Sequence, residues 1–323
     1  MRICVLGKRG SVVGWFEGAV TGWRAAGHTV LPAVYRSPWL HPAIGRALFA
    51  EALGAPGAIL LARRIRAFRP DLIVAPDAFS TPLSLLERLS RTPDLPPLIG
   101  WVGDLFGDYA RARAGHFAAI GYTDSGLVTR HTEMSLPADA FFLPHAASPL
   151  LGEGEGPGPP RRPRLVFIAH PTPERLATLR ALRQPVDLHG PGWKPLRGGV
   201  HSVDPRRIPL AKVGALYRSH AAVLNIRNET HVLHGLNQRH FDAALSGAAM
   251  LSDPQPDLEH CFDIGTEMLI WRAPGDIDAF SQRLRTEPDW AARIGANARR
   301  RVLADHSYAA RLLALIRLAR VVS

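Results

Sequence analysis

Apolar residues in the first half of the chain fall into short continuous runs, separated by polar turns and by segments with helical spacing. Apolar runs of this length are typical of strands buried on both faces of a parallel sheet. The pattern predicts strands at 2–6, 29–34, 72–75, 98–102, 119–123 and 141–143, with helices at about 11–26, 41–69 and 82–89.

The pattern changes at residues 150–163, LLGEGEGPGPPRRP, where glycine and proline are dense and apolar periodicity is absent. Such a composition predicts an interdomain linker. The alternation then restarts, which favours a two-domain α/β enzyme with an interdomain cleft. Further strands are predicted at 165–169, 186–189, 221–226, 248–251 and 268–271, with closing helices at about 275–286, 289–304 and 308–320.

Residues 234–251, HGLNQRHFDAALSGAAML, read as a loop, a helix and a buried strand. Asn237 fits an N-cap and Gly247 a helix C-terminus. A helix that begins beyond the carboxyl end of a strand points free N–H groups into the crevice where open α/β sheets bind phosphorylated ligands. Arg239 and Asp242 stand in its first turns; an ordinary sheet-covering helix with a solvated charge pair is the alternative.

The first strand runs into a glycine loop that contains Gly7, Lys8 and Gly10. The glycines do not form G-x-G-x-x-G and no acidic residue ends the second strand, so nicotinamide binding is disfavoured. The loop is suited to approach a sugar, a phosphate or an acceptor, or it is simply a tight turn. Asp104, after strand 98–102, is a candidate for a sugar-hydroxyl contact or acid/base work, with a helix N-cap as the alternative.

The 323 residues carry a net charge of +11, from 39 basic and 28 acidic residues. Such a charge attracts anions such as sugar nucleotides, nucleic acid or an anionic membrane face, or it reflects a GC-rich genome. The charge is spread without a Lys/Arg tract or aromatic–basic interleaving, so we predict no nucleic-acid partner.

Cys4 and Cys261 both lie in apolar segments, which predicts buried thiols and a reduced, cytoplasmic setting. The N-terminus runs straight into a strand, so no signal peptide is expected. No uncharged apolar run is long enough to span a bilayer. The histidines lack metal-ligand spacing, so no metal site is predicted.

Three runs after residue 234, LNQRHFDAALSGAAMLSD, LEHCFDIGTEMLIW and ARIGANARRRVLADHSYAAR, resemble the C-terminal half of CgeB-like (spore-maturation) glycosyltransferases. LVFIAH, DLHGPGW and AAVLNIR extend the resemblance over 164–311; LIGWVGD, GYTDS and FLPHAA carry it loosely into the N-terminal half. The group belongs to the GT-B glycosyltransferases. The resemblance implies two Rossmann-like domains facing across a cleft: 1–150 for the acceptor, a linker at 151–163 and 164–305 for the donor. Residues 306–323 then form a helix that returns to the first domain.

The resemblance also implies roles for single residues. Arg239 and Arg175 are expected near the diphosphate, and Asp242 at the ribose. His234 replaces the first carboxylate of the related Glu-x7-Glu pattern, which leaves the donor sugar and the stereochemical outcome open. The remaining donor-side residues that it implies are Gly190, Gly192, Trp193, Arg227 and Asn237, with plain packing as the alternative for Trp193 and a solvated surface charge for Arg227.

The sequence thus predicts a cytoplasmic glycosyltransferase that uses a nucleotide-diphosphate sugar, without a cofactor and independently of metal. Asp104 or His116 is the candidate base if the reaction inverts, and a retaining reaction needs none. The acceptor is open between a glycan, a lipid-linked molecule and a protein, and so is the oligomeric state. A peripheral membrane contact through the last helix is the alternative to its closing role. A catalytically silent sugar-nucleotide-binding subunit and a sugar-nucleotide epimerase are the rival functions.

Overall fold

The computed structural model describes residues 1–10, 14–36, 55–151, 161–228 and 232–321. The chain forms two compact units: the first unit is Met1–Ser148 with Ser307–Ser323, and the second unit is Pro149–His306. The predicted helical segment 41–54, part of the glycine loop and most of the predicted linker lie outside the described residues.

The first unit contains a parallel six-stranded sheet in the order β2-β1-β3-β4-β5-β6. Its strands are β1 (Arg2–Lys8), β2 (Thr29–Arg36), β3 (Leu72–Pro76), β4 (Leu98–Val102), β5 (Ala119–Tyr122) and β6 (Asp139–Phe142). Helices α1 (Trp15–Ala25), α2 (Ala55–Phe68), α3 (Leu83–Ser90), α4 (Tyr109–Ala114) and α5 (Ser125–Glu133) connect them, and the last helix, α12 (Tyr308–Val321), belongs to the same unit.

The strands of the first unit are apolar because the sheet is covered on both faces. In β1, Cys4 and Leu6 belong to one core and Ile3 and Val5 to the other, and all four side chains are fully buried. Successive side chains of a strand point to opposite faces, so a continuous apolar run supplies both cores at once. Burial also raises the pKa of the Cys4 thiol to about 12, which makes this cysteine a packing residue.

The last helix is held against the first unit by hydrogen bonds to main-chain oxygens. The indole N–H of Trp23 donates to the Tyr308 carbonyl at 2.8 Å. Arg311 donates through Nε to the Pro144 carbonyl at 2.7 Å and through Nη2 to that of His145 at 3.1 Å. A side chain at Gly22 would lie 2.6 Å from Tyr308, so the glycine permits the close approach of α1 and α12.

The second unit contains another parallel six-stranded sheet, in the order β12-β11-β10-β7-β8-β9. Its strands are β7 (Arg162–Ile168), β8 (Val186–His189), β9 (Ser202–Asp204), β10 (His220–Leu224), β11 (Ala249–Ser252) and β12 (Leu269–Ile270). Its helices are α6 (Pro173–Arg180), α7 (Leu210–Arg218), α8 (Gln238–Leu245), α9 (Leu258–Cys261), α10 (Pro274–Thr286) and α11 (Pro288–Asp305).

The order of the second sheet creates a topological switch point between β7 and β10. The chain builds the sheet outward from β7 through β8 to β9, and then returns to place β10 on the other side of β7. Connections from the two neighbouring strands therefore leave in opposite directions, and a crevice opens at their carboxyl ends.

Most predicted elements match the observed ones to within a few residues, but the prediction missed the strand β9 and the helix α4. The strand has three residues, SVD, of which one is apolar, so it carries no pattern. The helix YARARA is six residues long and buries only Ala110 and Ala114. Within the described ranges, every helix is too short or too polar to cross a membrane.

Candidate functional site

The crevice at the switch point of the second unit is bordered by the N-terminus of α8. Asn237 is the N-cap, as predicted, and its Oδ1 accepts a hydrogen bond from the Arg239 backbone N–H at 3.1 Å. Gly247 follows the helix at φ 66°, where a residue without Cβ avoids strain. Free N–H groups of the first helical turn and the positive end of the helix dipole therefore border the crevice.

Arg239 is fixed by hydrogen bonds at the ends of both switch-point strands. Its Nη2 donates to the Ile168 carbonyl at 2.8 Å and its Nη1 to Asn225 Oδ1 at 2.5 Å. The guanidinium lies over the Phe167 ring, 5.0 Å from the centroid. Its Nε is buried with no hydrogen-bond partner among the described residues. Burial lowers the pKa of Arg239.

Arg175 brings a second guanidinium to the same ring. It lies 5.5 Å from the centroid of Phe167, and donates to the Ile226 carbonyl at 3.0 Å and the His170 carbonyl at 2.9 Å. Burial, and then the charge of Arg239, lower the pKa of Arg175 to about 10. These hydrogen bonds go to carbonyl and amide oxygens, and Arg239 also interacts with the Tyr217 hydroxyl. The pair therefore presents positive charge suited to an anion.

Asn225 and Asp253 complete the frame around Arg239, and the sequence analysis missed both. Asn225 follows β10, and its Oδ1 accepts from Asn237 Nδ2 at 2.9 Å while its own Nδ2 donates to Asp253 Oδ1 at 2.8 Å. The Arg227 backbone N–H also donates to Asp253 Oδ1, at 3.2 Å, and its Nε lies 3.7 Å from Asp253 Oδ2. Burial raises the pKa of Asp253. The sequence signal was a polar residue directly after a buried strand.

Asp242 is buried in the middle of α8, one turn after Gln238. Gln238 Nε2 donates to Asp242 Oδ1 at 2.9 Å. Burial raises the pKa of the neighbouring Tyr217 hydroxyl to about 12. The charge of Arg239 lowers this pKa, and the charge of Asp242 raises it. The carboxylate thus belongs to the same polar cluster as Arg239. His234, at the first position of the expected pattern, is exposed, and its carbonyl accepts from the Asp257 N–H at 3.1 Å.

Gly190 and Gly192 form a tight loop after β8 that needs glycine at both positions. Their φ angles are 118° and 96°, and a Cβ on Gly190 would lie 2.7 Å from the Ala169 carbonyl oxygen. Trp193 is fully buried and donates through Nε1 to the same oxygen at 2.9 Å. Its side chain therefore stabilises the loop by packing, and its place among the donor-side residues stays a prediction.

The glycine loop and Asp104 border a separate cavity in the first unit, at the carboxyl ends of β1, β3 and β4. Its volume is about 340 Å³. Lys8 Nζ lies 2.5 Å from Asp77 Oδ2 and donates to Ser80 Oγ at 3.0 Å. A side chain at Gly7 would clash with the Phe16 ring, and the Gly10 N–H donates to Glu17 Oε1 at 2.9 Å. Asp104 is exposed and is not an N-cap, because α4 begins five residues later, at Tyr109.

His116 lies near the amino ends of the strands of the first sheet, opposite the carboxyl ends where Asp104 lies. It precedes β5 and borders a cavity of about 350 Å³ beside the start of β4. Its Nδ1 lies 2.8 Å from Ser90 Oγ. Asp104 follows the end of β4, so the two candidate bases do not share a site. We therefore assign no catalytic role to His116.

No cluster of three potential metal-ligating His, Cys, Asp or Glu side chains occurs in the part of the chain that the structure describes. Metal independence stays a prediction.

Comparisons with known proteins agree with this architecture. Residues 172–317 match the family model described as glycosyl transferase-like. Anabaena Alr3699/HepE, solved in complex with UDP, superposes with a TM-score of 0.62 over 99% of this chain and 100% of its own, at 11% identity. Sucrose-phosphate synthase from Thermosynechococcus elongatus superposes with a TM-score of 0.65 over 99% of this chain and 98% of its own, at 13% identity. The fold is GT-B. The DNA-modifying β-glucosyltransferase, studied with and without uridine diphosphoglucose, superposes with a TM-score of 0.59 over 100% of both chains, at 8% identity.

The family match covers the second unit from residue 172 and extends into the last helix, and it leaves the subtype open. No curated protein sequence matches the chain at a significant level. The CgeB-like assignment therefore stays a prediction.

Proposed function

We propose that the chain is a glycosyltransferase that binds a nucleoside diphosphate sugar at the switch point of the second unit. The acceptor would bind in the first unit. The observation that carries the proposal is the pair of guanidinium groups, Arg175 and Arg239, beside the N-terminus of α8. A diphosphate is the ligand that uses both features, because it accepts planar, bidentate hydrogen bonds and favours a helix N-terminus.

The chemistry follows from where charge develops. When the bond between the anomeric carbon and the diphosphate breaks, negative charge grows on the leaving oxygen. Fixed cations in a site of low hydration stabilise that charge without having to reorganise. The arginines would supply this stabilisation without a metal ion. In the first unit, Asp104 is our candidate base for an inverting transfer, and a retaining transfer would proceed without it.

Two of the structural relatives support the nature of the donor. Alr3699/HepE was solved with UDP, and with UDP and glucose, and the DNA-modifying β-glucosyltransferase was studied with uridine diphosphoglucose. For the present chain a nucleoside diphosphate sugar is therefore the first class to test, with the base and the sugar both open.

The direct test is a screen of UDP-, GDP-, dTDP- and CMP-sugars by thermal shift, followed by an assay of nucleotide release with an acceptor panel. We expect one of the UDP-, GDP- or dTDP-sugars to raise the melting temperature and its nucleoside diphosphate to be released, whereas CMP-sugars, which carry a single phosphate, should do neither. Release should persist in EDTA if the reaction is metal-independent. A chain that shows neither a nucleotide-dependent shift nor release is not a glycosyltransferase of this kind.

Asp242 is proposed to hold the nucleotide ribose. Asp242→Asn should weaken binding of the preferred nucleotide about tenfold, because an amide accepts hydroxyl hydrogen bonds less strongly than a carboxylate. Asparagine has nearly the same shape, so the melting temperature without ligand should change little. Titration calorimetry measures the affinity, and Glu259→Gln, an exposed carboxylate on α9, is the control. An unchanged affinity would rule out the ribose role.

A catalytically silent sugar-nucleotide-binding subunit is the second candidate, and His234 favours it. This residue stands where related enzymes place a carboxylate, and it is exposed before α8. Tight nucleotide binding without release across the acceptor panel would support the silent subunit. Interconversion of nucleotide sugars without any acceptor would instead identify an epimerase.

A further inference from the structure

The cavity of the first unit combines charged, hydroxyl and aromatic side chains in its lining. Its volume of about 340 Å³ lies at the lower end of ligand pockets, which fits one sugar ring better than an extended chain. Its described polar and aromatic lining residues are Lys8, Tyr35, Asp77, Phe79, Ser80, Asp104, Tyr109 and Arg113. Apart from Lys8 and Asp104, none of these was singled out by the sequence.

Among the described residues of the lining, positive and negative side chains are equal in number. Two carboxylates, Asp77 and Asp104, face two cations, Lys8 and Arg113, although the whole chain has a net charge of +11. Lys8 pairs with Asp77 at 2.5 Å, and Arg113 donates to the Thr81 carbonyl at 3.2 Å. Because the two carboxylates offset the two cations in charge, the described lining offers an anionic ligand no excess positive charge.

Asp77 is held in an uncommon conformation that places it in the cavity. Its φ and ψ are 58° and 50°, in the left-handed region that aspartate and asparagine tolerate better than most residues. Lys8 Nζ fixes one of its carboxylate oxygens. A carboxylate has about four acceptor sites, so it retains capacity for ligand hydroxyl groups.

Tyr109 supplies an aromatic face beside these carboxylates. The residue is 52% exposed, and the Arg113 guanidinium lies 5.7 Å from its ring centroid. Partial burial and the charge of Asp77 raise the pKa of Tyr109. An exposed aromatic ring with a polar tip suits a ligand with both an apolar C–H face and hydroxyl groups.

We infer that this cavity binds an uncharged pyranose, with the sugar ring on Tyr109 and its hydroxyl groups on Asp77 and Asp104. Under the proposed function, on which this role rests, the pyranose is the acceptor. The acceptor class is then a neutral glycan terminus, and acceptors with a phosphate or carboxylate on the bound ring are disfavoured.

Saturation-transfer NMR with methyl α-glucoside, methyl α-mannoside and methyl β-galactoside tests the inference on the whole chain, with glucose 6-phosphate and glucuronic acid as charged competitors. We expect at least one neutral glycoside to bind, and the charged sugars to bind about tenfold more weakly or not at all. Tyr109→Ala should lower the affinity about tenfold and Tyr109→Phe far less, since the ring is retained. Asp77→Asn should also weaken binding, and asparagine tolerates the left-handed backbone.

Asp108→Asn is the matched control, because Asp108 is exposed next to Tyr109 and its side chain makes no capping hydrogen bond. The inference is overturned if no neutral glycoside binds, if the charged sugars bind more tightly, or if Tyr109→Ala binds as well as the parent chain. The nucleotide thermal shift, measured on the same variants, should be unchanged. A missing nucleotide shift with intact glycoside binding would instead count against the proposed function alone.

Discussion

Arg239→Met should lower kcat/KM for nucleotide release by about two to three orders of magnitude, the loss typical of removing a charge-stabilising donor from an active site. The variant removes a guanidinium that is fixed by Ile168 and Asn225 and whose Nε has no partner among the described residues. Arg239→Lys should recover only part of the loss, because an ammonium group cannot reproduce the planar fork. Steady-state kinetics with the preferred donor measures both variants.

The matched control is Arg283→Met on α10. Arg283 pairs with Glu287 at 2.9 Å, both side chains are largely exposed, and exposed pairs of this kind contribute little to stability. Its kinetics should equal those of the parent chain. Melting curves for all variants separate a kinetic loss from unfolding. An Arg239→Met variant that is folded and within about threefold of the parent would reject the leaving-group role.

Acidification from pH 7.5 to 5 should destabilise the first unit by about 2 kcal/mol through His145 alone. Burial, and then the charge of Arg311, lower the pKa of His145 from 6.5 to about 3. In the unfolded chain His145 therefore takes up a proton near pH 6.5, whereas in the folded chain it takes up a proton only near pH 3. The stability that neutral His145 contributes is complete above pH 6.5 and is lost as the pH falls toward 3.

Denaturant unfolding at the two pH values measures this effect, and His145→Gln should flatten the pH dependence by about the same amount. The control is His260→Gln, at an exposed histidine of α9. Burial also lowers the pKa of His131, His189 and His201, so a pH dependence of the same sign remains in the variant. A pH dependence that is identical in the parent and in His145→Gln would contradict the assignment.

The order of strands and helices was predictable because both sheets are buried on two faces. A short continuous apolar run such as that of β1, bounded by a glycine turn, is typical of a strand covered on both sides. Asn237 and Gly247 mark the ends of α8 by backbone chemistry alone. Elements as short as β9 carry too few side chains for any periodicity.

The site was only partly predictable, because it depends on which strands become neighbours. Arg239 was identified as a candidate from its position in the first turn of a predicted helix. Asn225 and Asp253 meet it only because β10 and β11 are paired, and Asp77 meets Lys8 only because β1 lies beside β3. His116 and Asp104 are close in sequence, but they lie at opposite ends of the strands of the first sheet.

The shared contact of Arg175 and Arg239 with Phe167 has a kinetic consequence. Two like charges on one ring repel each other, and a bound diphosphate relieves the repulsion whether or not it still carries a sugar. The free nucleoside diphosphate, which bears one more negative charge than the donor, should therefore bind at least as tightly as the donor itself. Departure of the spent nucleotide would then limit turnover, and inhibition by that nucleotide, competitive with the donor, would reveal it.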